Sequence, residues 1–68
     1  MASRYVSNSQ IERIVKDIDE RMTDKLAPGK LGKKGFIMGA IQKEVGKERV
    51  SYVLESDVIR EKYGQYFI

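Results

Sequence analysis

The chain contains no cysteine and no histidine. Without thiols it forms no disulfide and offers no thiolate as nucleophile or metal ligand. Without imidazole it lacks the commonest general base near neutral pH and the commonest transition-metal ligand. A reducing compartment suits such a composition. Long apolar runs are missing too: no stretch approaches the roughly 18 residues of a membrane span. The opening MASRYVSNSQ has one arginine but no apolar core of a secretory signal. The expectations are therefore no membrane partner and a cytoplasmic location.

Catalytic constellations are also lacking. Asp17, Asp19, Glu20 and Asp24, like Glu55 and Asp57, are interleaved with basic residues, the pattern of a solvated face. DIDERMTD lacks the glycine and the closing glutamate of a calcium loop. Gly29, Gly32, Gly35 and Gly39 do not have phosphate-loop spacing, and no strand precedes them. No catalytic residue, metal site or cofactor is expected, and the chain reads as non-enzymatic.

What is present is one helical domain. Sixty-eight residues make a single unit, 1–68, of modest stability, because a chain of this size buries only about 60% of its unfolded surface. Residues 1–8 read as a loose leader. Ser9 and Glu12 fit a capping box. Ile11, Ile14, Val15, Ile18, Met22 and Leu26 then recur at three and four, one face of a helix that Pro28-Gly29 stops. Glu12–Lys16 and Asp17–Arg21 are favourable pairs on its outer face. A second helix is expected from Lys33, with Phe36, Ile37, Ala40, Ile41 and Val45 on one side and Gly46 as its stop. Residues 50–53 have strand-like branching but no partner run, so a third helix, whole or in two pieces, is preferred. It carries Val50, Val53, Leu54, Val58 and Tyr63, with Ser56 as a cap, and Gly64 ends it. Residues 64–68 form a short apolar tail. The expected class is all-α, a small three-helix domain.

The centre of the chain stands out. Residues 1–24 hold four basic and five acidic side chains, residues 25–49 seven and two, residues 50–68 two and three. The positive excess therefore sits in the middle, a hint of an anionic partner. The same stretch, KLGKKGFIMGAIQKEVGK, carries Gly35 and Gly39, each costing a helix about 1 kcal/mol relative to alanine. Four apart, they share one side. Either a neighbouring helix packs closely there, or the bare backbone faces a ligand. A membrane-surface helix over 33–47 is weaker, since burial in the core would use its short apolar face.

The order IERIVKDIDERM, a basic PGKLGKKG connection, GFIMGAIQKEVGK and a closing DVIREKYG resembles the tail domain shared by the B subunit of the tRNA-dependent amidotransferases and the YqeY-like proteins. Gly29 and Lys30 match the connection, and Gly35, Phe36 and Gly39 the glycine-bearing helix. Lys43 and Lys47 match its basic end, and Val58 to Lys62 the final helix. RVSYVLES is longer and more branched than that family's pattern, and the catalytic cradle is absent. The resemblance implies a tail without its enzyme, helping to engage tRNA.

Two functions are carried forward. In the first, Lys30, Lys33, Lys34, Lys43, Lys47 and Arg49 neutralise phosphates of structured RNA such as tRNA, with a log-affinity against log-salt slope of roughly −4 to −5. In the second, the chain regulates a larger protein, with Tyr63, Tyr66, Phe67 and Ile68 as anchor unless they fold back onto the core. The composition leaves the oligomeric state open.

Overall fold

The computed structural model describes residues 6–68. They form four α-helices, α1 (Asn8–Arg21), α2 (Gly29–Val45), α3 (Val50–Leu54) and α4 (Asp57–Tyr63). Two 3₁₀ turns, Lys47–Arg49 and Gly64–Phe67, complete the order. No strand occurs among the described residues, so the class is all-α, and the expected third helix is divided into α3 and α4.

The expected capping box exists, two residues earlier than expected. Ser7 Oγ accepts from the Gln10 backbone N–H at 3.2 Å, and Gln10 Oε1 accepts from the Ser7 N–H at 3.0 Å. Gln10 does what was assigned to Glu12, because either side chain can reach back one turn. Of the leader expected over 1–8, residues 1–5 lie outside the described residues. Val6 is buried in the core and Ser7 caps the helix, so the remainder is not loose.

α1 ends at Arg21, five residues before Leu26, which is consequently exposed rather than on an apolar face. Pro28 does not stop this helix; it opens the next. Its φ of −72° suits a helix entry, and its carbonyl accepts the Gly32 N–H at 3.1 Å. α2 thus begins at Gly29, four residues ahead of the expected start at Lys33. Gly46, at φ 91°, stops it as expected, in a conformation that a side chain would strain.

α3 and α4 break at Glu55 and Ser56, where Ser56 turns extended (ψ 137°) and its N–H bonds to the Val53 carbonyl at 2.9 Å. The break resets the helical phase. Ile59 turns inward in place of Val58, which is 47% exposed. Gly64 ends α4 as expected, at right-handed angles (φ −55°), and the chain runs on into the final 3₁₀ turn.

The core is mostly aliphatic. Ile14 and Ile18 of α1 meet Ile37 and Ile41 of α2, closed by Val53 of α3 and Ile59 of α4. Each is almost fully buried, which contributes about 1.5–3 kcal/mol per side chain. Arg13–Glu44 (3.4 Å) ties α2 to one flank of α1, and Lys62–Asp19 (3.0 Å) ties α4 to α1.

Candidate interaction surface of α2

α2 carries most of the lysines and glycines that the sequence singles out, and the helical period sorts them. Ile37, Ile41 and Val45 face the core. Phe36 and Ala40 sit partly buried beside them, on the α1 side, with the Arg21 guanidinium 5.4 Å from the Phe36 ring centre. Away from the core, Leu31, Gly35, Met38, Gly39 and Gln42 recur at three and four and form one exposed stripe. Leu31 is 82% exposed and Met38 38%.

The glycines in this stripe are not packed against a neighbouring helix. A Cβ built on Gly35 or Gly39 meets no heavy atom within 4 Å. This corrects the close-packing reading within the fold. The glycine that does mediate close approach is Gly32, where a Cβ would lie 2.9 Å from the Ala27 carbonyl carbon and 3.0 Å from Pro28 Cδ. The early start of α2, four residues ahead of Lys33, explains this: the loop before it, not a helix, folds over its first turn.

The six cations expected to hold RNA do not form one patch. Lys33 Nζ donates to Asp24 Oδ1 at 2.6 Å and to the Ala27 carbonyl at 2.9 Å. The Lys33 bond to Asp24, then the ammonium charge, holds the Asp24 carboxyl below its ordinary range. Lys33 is also not at the first turn, because the helix starts four residues earlier. Lys30 Nζ donates to the Ile68 main-chain oxygen at 2.6 Å. Lys34 Nζ sits 5.8 Å from the Phe67 ring centre. Arg49 Nη1 donates to the Val45 carbonyl at 2.9 Å, closing the carboxyl end of α2. Lys43 and Lys47 are exposed. Lys30 and Lys43 stand about 20 Å apart along the helix axis and on different sides of it.

The aromatic tail is largely absorbed by the fold. Tyr63 is buried and donates its Oη to Asp19 Oδ1 at 2.7 Å. Tyr66 and Phe67 pack partly buried against the core, and Ile68 is 95% exposed. Leu31 and Met38 escaped the sequence reading. The signal was there: apolar residues occur on every side of this segment, whereas a surface helix with one buried face has a polar back.

Compared with protein-family models, curated proteins and solved structures, the chain matches none. No described helix is long and apolar enough to cross a membrane.

Proposed function

We propose that this chain is a non-enzymatic protein-interaction module that presents the outer face of α2 to another protein. The observation that carries it is the exposed stripe of Leu31, Gly35, Met38 and Gly39, with open space over both glycines. Bare glycines in mid-helix let a second helix approach closely. They offer little to a phosphate, because N–H groups inside a helix are already spent on the ladder. Leu31 and Met38 supply apolar area for a protein contact, not the flat rings that stack on bases.

A second reading, structured RNA such as tRNA, draws on the positive excess of residues 25–49 and the exposure of Lys43 and Lys47. It is also what kinship with the amidotransferase tail would imply. Four of its six cations already serve their own chain as donors or ring partners, so the protein reading is favoured.

Photo-crosslinking separates the two. Met38→benzoylphenylalanine should capture protein in the cells that make this chain, while the same group at Glu61 should not. Adducts to RNA from position 38, or equal capture from both positions, would overturn the proposal.

A further inference from the structure

We infer that the surface which receives the α2 stripe is a groove between α1 and α4 on a second copy of this chain; the inference rests on the interaction-module reading. The groove has an apolar floor of Ile11, Val15 and Val58 and a rim of Glu12, Asp19 and Glu20 interrupted by Lys16, acidic on balance. Val58 is 47% exposed there, a valine that the fold leaves uncovered. Both features complement the α2 stripe, whose apolar centre is bordered by Lys34 on one side and Lys43 on the other.

Charge decides between the candidate partner faces. Stripe against stripe would bring two strongly basic segments together, an unfavourable meeting at low salt. Stripe in groove sets lysines against Glu12 and Glu20. Asp19 is already engaged by Lys62 and Tyr63 and contributes less.

Geometry then sets the form of the assembly. The stripe lies on α2, which Arg13–Glu44 holds to one flank of α1, whereas the groove lies on the flank where Lys62 and Tyr63 hold α4. A copy can therefore give its stripe to one neighbour and its groove to another. Such a heterologous contact builds open chains or rings, not a closed two-fold dimer.

The test uses two variants at exposed positions. Gly39→Glu blocks the stripe and places its side chain in open space, and Val58→Lys blocks the groove. In sedimentation velocity at rising concentration, the purified parent should form species beyond a dimer, weakened by salt. Each variant alone should associate about tenfold or more weakly, the scale of losing one central contact. An equimolar mixture should give a discrete one-to-one complex, because each variant keeps the face the other lacks. A parent that stays monomeric near millimolar concentration, a closed dimer indifferent to both changes, or no complex in the mixture would overturn the inference. If position 38 still captures a different protein, the module reading survives that failure.

Discussion

Tyr63 Oη donates to Asp19 Oδ1 across 2.7 Å, joining residues 44 apart in the chain. The contact ties α4 to the last turn of α1, and Lys62 reaches the other oxygen of the same carboxylate at 3.0 Å. The bond from Tyr63, then that from Lys62, holds the Asp19 carboxyl below its ordinary range. Burial, then the neighbouring carboxylate, pushes the Tyr63 hydroxyl above its own.

The signs of these shifts set two pH windows. Asp19, with its folded value depressed, stabilises the fold above the ordinary aspartate value of about 3.9, and that contribution fades as pH falls through the folded value. Tyr63, with its value raised, contributes fully below about 10 and loses the contribution as pH climbs toward the folded value. Tyr63→Phe should cost about 0.5–1.5 kcal/mol at neutral pH and flatten the loss above pH 10. Urea melts across pH would check this; an unchanged alkaline arm contradicts it.

Gly35→Ala and Gly39→Ala should each stabilise the protein by about 1 kcal/mol, since the new methyl meets open space and the helix propensity improves. Gly32→Ala should do the opposite, by about 1–3 kcal/mol, because a methyl there presses on the Ala27 backbone. Thermal melts of the three variants give the comparison, and a destabilised Gly39→Ala would show that the stripe is covered.

Lys33→Gln should lower stability by about 1 kcal/mol through loss of the bond to the Ala27 carbonyl. Reasoning from charge at a helix start gives the opposite sign, so the experiment discriminates. Asp24→Asn, at a fully exposed carboxylate, should matter less. Chemical denaturation that ranks Asp24→Asn above Lys33→Gln would contradict the assignment.

Ser7→Ala should cost about 1 kcal/mol, the worth of a helix cap, while Ser9→Ala should be neutral or slightly stabilising within the first turn. Equal effects would place the helix start elsewhere.

Much of this molecule was written in local pattern. Ile11, Ile14 and Ile18 at helical spacing, and Ile37, Ile41 and Val45 likewise, identified both long helices and their buried faces. Gly46 announced the end of the second, because a positive φ is cheap only without a side chain. The Asp17–Arg21 pair was equally readable and forms at 3.3 Å. Such features depend on neighbours three or four residues away.

Tertiary structure decided the rest. Whether Ser7 or Ser9 capped α1 turned on Val6, which the core buries. Whether Val58 or Ile59 faced inward depended on the phase reset at Ser56, and the docking of Tyr63 onto Asp19 bears on it. The fate of the lysines was hidden for the same reason. Lys30 and Ile68 are 38 residues apart, and nothing in the chain's local pattern says they will meet. A helix period shows that one face is apolar, but only packing shows which apolar residues are left over. Here the core took Ile37 and Ile41 and left Leu31 and Met38 exposed beside two uncovered glycines.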